Sequence, residues 1–144
     1  MKLSKKYFSV ELFGDPDIKV REVMPYDDDK TVKDKNKKPF IAQNVAIIKV
    51  TYGDKRYIIS NPTEYKYDGA SIPFKIGKGN MKLLIPSMFH DLICEDKTLV
   101  DKNRKLSSMI FKELLLQCHV NKLTAEIMHQ SVDIYQRFMD GWKK

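Results

Sequence analysis

The sequence predicts an α+β domain, an antiparallel sheet built from the first half of the chain and about three helices from the second. Three observations carry this. Apolar and polar residues alternate in short runs as far as Ser60. Beyond residue 81 the apolar residues recur at helical spacing instead. Gly53-Asp54 stands between two β-branched runs, the mark of a tight hairpin. The 144 residues are read as one domain, 1–144, with a strand-rich part over 1–60, an irregular loop over 61–80 and a helical part over 81–144.

Each element has a local cause. "KKYFSVELF" alternates and stops at Gly14-Asp15-Pro16, a turn sequence. "IKVREVM" sets Ile18, Val20 and, after a slip, Val23 in alternation, and ends at Pro25. Residues 26–38, "YDDDKTVKDKNKK", hold too little apolar surface to bury themselves and read as a solvated hairpin tip or a mobile loop. A β-branched run over 45–51 turns at Gly53-Asp54 into "KRYIIS". The stretch 61–80 is rich in Gly and Pro and has no period, yet Tyr65, Tyr67, Ile72 and Phe74 argue against disorder.

The helical half has three apolar stripes. Ile85, Met88, Phe89, Leu92 and Ile93 form the first, with Pro86 in its opening turn. Leu106, Met109, Ile110, Leu114 and Leu116, or positions next to them, form the second, with Asp101 as its expected N-cap. Ile127, Met128, Ser131, Ile134, Tyr135, Phe138, Met139 and Trp142 form the third. No run reaches the roughly 20 apolar residues of a membrane span. The start of the chain has no apolar h-region, so no signal peptide is expected. Cys94 and Cys118, on separate expected helices, read as buried free thiols of a reducing cytoplasm, with a disulfide between them as the alternative.

The net charge of +7 reads as solubility. The lysines are scattered, many beside Asp, and outnumber the arginines that read bases and phosphates bidentately. No specific nucleic-acid partner is expected.

"SMFHDLICED" poses the chemical question, because a His beside an Asp interrupts an apolar helix. His90 and Asp91 diverge by about 100° on a helix, so each needs its own partner. His90 reads as a general base if a carboxylate holds its second nitrogen, or as a half-buried His bonded to backbone. Asp91 reads as a calcium ligand beside a Gly-containing loop, or as a surface acid. Ser71 with His90 and Asp68 lacks the spacing of a nucleophile elbow. His119 and His129 have no ligand spacing and read as helix-end and surface residues. "KIGKGN", residues 75–80, lacks phosphate-loop spacing and reads as a turn.

The loop Asp68-Gly69-Ala70-Ser71-Ile72-Pro73, followed by His90-Asp91, then Arg104 and Phe111, then "SVDIYQRFMDGW", resembles a phage- and prophage-enriched domain family of unsettled function. The resemblance covers roughly residues 55–144. The loop followed by a helix with His-Asp and a second antiparallel helix is also similar, more distantly, to the core of prokaryotic-type phospholipase A(2). That likeness implies His90 as base, Asp91 as calcium ligand, and Asp68 and Gly69 in the loop that completes the calcium shell. It also implies an orienting Asp three residues before Phe111. That position is Ser108, which cannot stabilise an imidazolium as a carboxylate does. No second glycine stands close to Gly69, since Gly77 and Gly79 come too late for the same turn.

With His90 and Ser108 as a degenerate pair, a non-catalytic role is favoured over a working enzyme. Gly69, Ala70, Ser71 and Pro73 then form a structural loop that closes over His90, with Asp68 bonded inside it. The resemblance implies a phage virion or assembly accessory protein on a degenerate hydrolase-like scaffold. It would be made in the host bacterial cytoplasm, become virion-associated, and bind other virion proteins in one or many copies. No cofactor is expected; calcium is the one the alternative would take, that of a lipid or ester hydrolase acting on the host envelope.

Overall fold

The computed structural model describes residues 8–20, 40–67 and 83–138. The charged run 26–38, the loop residues Asp68, Gly69, Ala70, Ser71 and Pro73, and Trp142 lie outside the described residues. The described strands are β1 (Phe8–Phe13), β2 (Ile18–Val20), β3 (Phe40–Ala42), β4 (Ile47–Tyr52), β5 (Lys55–Ser60) and β6 (Tyr65–Tyr67). Three helices follow: α1 (Leu84–Glu95), α2 (Arg104–Gln117) and α3 (Lys122–Phe138), with a 3-10 turn over Lys97–Val100. The arrangement is α+β, strands first and helices last.

All described strand pairs are antiparallel, and they form two sheets, β1-β4-β5 and β2-β3-β6. Tyr52 pairs with Lys55 across Gly53-Asp54, so the β4–β5 turn has two central residues. Gly53 has φ +65°, the sign a II′ turn needs at its first central position. Gly14 ends β1 at φ +88°, and a Cβ there would sit 3.3 Å from the Val45 carbonyl oxygen. The short strands β3 and β6 leave no readable period. Each has three residues, and β6 forms inside the stretch expected to be irregular. Its alternation, Tyr65-Lys66-Tyr67, matters only because Phe40–Ala42 lies alongside to pair with it.

Asn61 bolts the two sheets together. Its carboxamide oxygen accepts from the Ala46 N–H at 2.9 Å, and its nitrogen donates to the carbonyls of Asn44 and Pro62 at 2.9 Å. A buried amide with every bond made fixes one arrangement of the loops it joins.

The inner face of β1-β4-β5 and the strands β3 and β6 pack on α1 and α2. Val10, Ile48, Val50, Ile59, Phe40 and Tyr67 meet Met88, Phe89, Ile93, Leu106, Ile110 and Leu114 in the main core. Burying each such large side chain contributes about 1.5–3 kcal/mol. A second, smaller cluster holds α3 to the back of α2: Phe111, Leu115, Val120, Ala125, Met128 and Val132, with Leu83.

Tertiary packing moved several expected faces. Helix α1 is buried on most of its circumference, including Ser87, His90 and Asp91, because it lies between the sheets and the other helices. On α2, Leu106, Ile110 and Leu114 are buried as expected, and Phe111 and Leu115 are buried beside the partly buried Leu116 because α3 covers that side. On α3, Ala125, Met128 and Val132 face inward while Ile127 and Ile134 are exposed. The N-cap of α2 is Asn103, whose side chain accepts from the Leu106 N–H at 3.0 Å. Asp101 instead closes the 3-10 turn in the left-handed region, at φ +55°. No helix among the described residues is long and apolar enough to cross a membrane.

Candidate functional site

Helix α1 presents His90 and Asp91 to different neighbours. His90 turns toward α2 and α3; Asp91 lies on the side of β6. That division follows from the angle between successive helical residues.

The imidazole of His90 is 1% exposed. Its ring lies 5.1 Å from that of Phe111, tilted by 52°. One turn along α1, the Cys94 sulfur is 3.9 Å from Nδ1 and 4.0 Å from Nε2. Gln136 of α3 hydrogen-bonds the ring. Burial pushes the His90 pKa down to about 4, and the Gln136 bond opposes this only in part. At neutral pH the ring is therefore uncharged.

Gln136 is the hub. It is fully buried, and its Oε1 lies 3.0 Å from Ser108 Oγ. Its Nε2 donates toward Cys94 Sγ and Ser107 Oγ, each at 3.5 Å. Ser108 therefore does not bond the imidazole itself; Gln136 stands between them. The Ser108 hydroxyl has three acceptors in reach: Gln136 Oε1, Asp133 Oδ1 at 3.1 Å and the Arg104 carbonyl at 3.3 Å. One hydroxyl proton serves one of them at a time.

The carboxylate that faces Ser108 comes from the third helix, as Asp133. It is not aimed at His90. Arg104 pairs with its Oδ1, Arg137 approaches its Oδ2 at 3.4 Å, and Ser108 faces its Oδ1. A carboxylate held by two guanidinium groups orients arginines and locks α2 to α3.

Asp91 is 5% exposed. Its neighbour is Tyr67, the last described residue before the loop. The Tyr67 hydroxyl donates to the Leu84 carbonyl at 2.7 Å, with Ser87 and Asp91 beside it. Burial, with a smaller contribution from the Asp91 charge, pushes the Tyr67 pKa up, so the phenol stays a donor. The Tyr67 ring packs against Phe40 and Tyr65, at centroid distances of 5.3 and 6.0 Å. Tyr67, at the end of β6, is thus anchored on the Asp91 side of α1.

Of the calcium ligands expected, only Asp91 is among the described residues; Asp68 and Gly69 are not. Among the described residues no group of three or more His, Cys, Asp or Glu side chains is placed to hold a metal ion.

His119 ends α2 at φ +70°, exposed, and His129 sits half-buried 3.9 Å from Glu126. Cys94 and Cys118 are both free thiols. The residues that sequence reasoning missed are Gln136 and Asp133. A signal for Gln136 existed: Met128, Val132 and Gln136 share one face of α3, and a polar residue in an apolar stripe calls for a buried partner.

Compared with family models, curated proteins and solved structures, the chain matches none.

Proposed function

We propose that this chain is a non-catalytic, protein-binding accessory component of a phage particle, built on a hydrolase-like helix pair whose chemistry is lost. The observation that carries the non-catalytic half is the state of His90. It is buried, uncharged at neutral pH and bonded to an amide, where a general base needs substrate access, a pKa near the working pH and a carboxylate behind it. The phage half rests on the loop and dyad motif. The protein-binding part is supported by two exposed apolar patches. Phe13 of β1 and Ile58 of β5 are exposed on the outer face of β1-β4-β5, on either side of Lys49 of β4, whose ammonium lies 5.2 Å from the Phe13 ring centre, and Val45 is exposed just before β4. Leu123, Ile127 and Ile134 line one side of α3 at 72%, 50% and 56% exposure. Patches of this kind on a folded domain mark contact surfaces.

Two measurements test the reading. Calorimetry with millimolar calcium, on the wild type and Asp91→Ala, is expected to give no saturable heat, and phospholipid and ester substrates no turnover. Quantitative mass spectrometry of gradient-purified particles is expected to find the chain in stoichiometric amounts. Calcium binding lost in Asp91→Ala, together with ester turnover, would replace this reading by that of a calcium-assisted hydrolase. Absence of the chain from particles would remove the virion role.

A further inference from the structure

A solvent-open groove of about 360 Å³ lies between the β4–β5 turn and the corner that joins the 3-10 turn to α2. Tyr52, Gly53, Asp54, Lys55, Tyr57, Asp101 and Asn103 line it. None of them belongs to the His90 network. The volume sits at the low end of small-ligand sites, roughly 300–1,000 Å³.

The backbone of the lining at 101–103 is held by its own hydrogen bonds. Asp101 and Lys102 are consecutive non-glycine residues in the left-handed region, at φ +55° and +58°. Such residues persist only where their surroundings hold them. Here the backbone N–H groups of Asp101, Lys102 and Asn103 are bonded to the carbonyls of Thr98, Lys97 and Val100 at 3.1, 2.8 and 3.0 Å. The Tyr57 hydroxyl donates to Asp101 Oδ2 at 2.9 Å, and Lys55 Nζ is 3.8 Å from the same oxygen. Burial and the Asp101 contact push the Tyr57 pKa up, so the hydroxyl keeps its proton and stays a donor. The Tyr52 ring is set edge-on against Phe8 at 6.4 Å.

Two polar groups are left to point outward. Asp101 Oδ1 takes no hydrogen bond among the described residues, because both contacts of the carboxylate use Oδ2. The Asn103 side-chain nitrogen is likewise unused, because its oxygen caps α2. The groove therefore offers a carboxylate acceptor, an amide donor and an ammonium donor, beside two tyrosine rings. A cation would meet Lys55, and an anion would meet Asp54 and Asp101. A neutral polyol meets neither penalty. Its vicinal hydroxyls both donate and accept, and its C–H face suits an aromatic ring.

We propose that this groove is a saccharide-binding site, in which Asp101 and Asn103 hold adjacent hydroxyls and the tyrosines receive the ring. The inference stands on the groove alone and is independent of the virion reading.

The test is a nuclear magnetic resonance titration of the intact isotope-labelled chain with glucose, galactose, N-acetylglucosamine and glucuronate. At least one neutral sugar is expected to give saturable shifts confined to residues 52–57 and 101–103. A small, open site predicts a Kd on the order of millimolar. Asp101→Asn keeps the side-chain shape and is expected to weaken binding about tenfold or more, as loss of a paired hydroxyl acceptor does. Tyr57→Phe is the second variant; it frees the carboxylate and is expected to weaken binding without altering the α3 resonances. Absence of saturable shifts with every sugar overturns the proposal. So does binding that survives both substitutions, or binding of glucuronate alone, which would make the groove an anion site.

Discussion

Ser108 on α2 and Asp133 on α3 face each other at 3.1 Å, oxygen to oxygen, and this contact forms the centre of the seam between the last two helices. Arg104 and Arg137 hold the same carboxylate, and Gln136, one turn further along α3, carries the seam inward to His90. The network is buried at Ser107, Ser108, His90 and Gln136, so it is costly to disturb.

Ser108→Asp tests what that seam is for. The substitution places a second carboxylate against Asp133 and Gln136 Oε1. The expected result is a loss of about 3 kcal/mol, the scale of an uncompensated buried charge, and a fall of roughly 10 °C in the thermal midpoint. Circular dichroism melting reads this directly. An unchanged midpoint would mean that position 108 has room for a charge, and the seam would have to be redrawn.

His90 gives stability a pH dependence of definite sign. Unfolded, the ring titrates at its ordinary 6.5; folded, at about 4. Below pH 6.5 the unfolded chain takes up a proton that the folded one refuses, so stability falls as pH drops from 6.5 to 4 and then levels off. The size is about 3 kcal/mol at the acid end of that window. His129, also lowered by burial, adds in the same direction. Urea midpoints at pH 7 and pH 5 measure the slope, and His90→Gln should flatten most of it. A slope that is unaltered in His90→Gln would assign the acid sensitivity elsewhere.

Met128 separates the small core from the large one. It is 2% exposed in the cluster that holds α3. Met128→Ala is expected to cost about 2–5 kcal/mol. Hydrogen exchange should then lose protection in α3 first while β1, β4 and β5 stay protected. Equal loss in all elements would show that the two clusters unfold as one unit.

Gly53 tests the hairpin without touching packing, because an added Cβ would meet nothing within 4 Å. The cost of Gly53→Ala is then conformational, about 1–2 kcal/mol for a left-handed L-residue. Chemical denaturation with an unchanged m-value is the expected record. A neutral result would mean that the turn relaxes to another type.

The sequence by itself determined what local physics determines. Alternation and Gly53-Asp54 specify the β4–β5 hairpin, because a two-residue turn fixes register between strands that are neighbours in the chain. Helical spacing specifies three helices after the strands, hence the α+β class. It also marked His90 and Asp91 as polar residues out of place on an apolar helix. Only the tertiary structure decided their partners. Ser108 and Gln136 are 28 residues apart in sequence and 3.0 Å apart in space, because antiparallel packing of α2 and α3 brings distant turns together. The same packing chose Val132 over Ile134 for the interior and sent the Asp133 carboxylate to Arg104 and Arg137. A periodicity shows that a helix has an apolar face; which neighbour covers which side is a property of the whole fold, and here it is what buries His90 between α2 and α3.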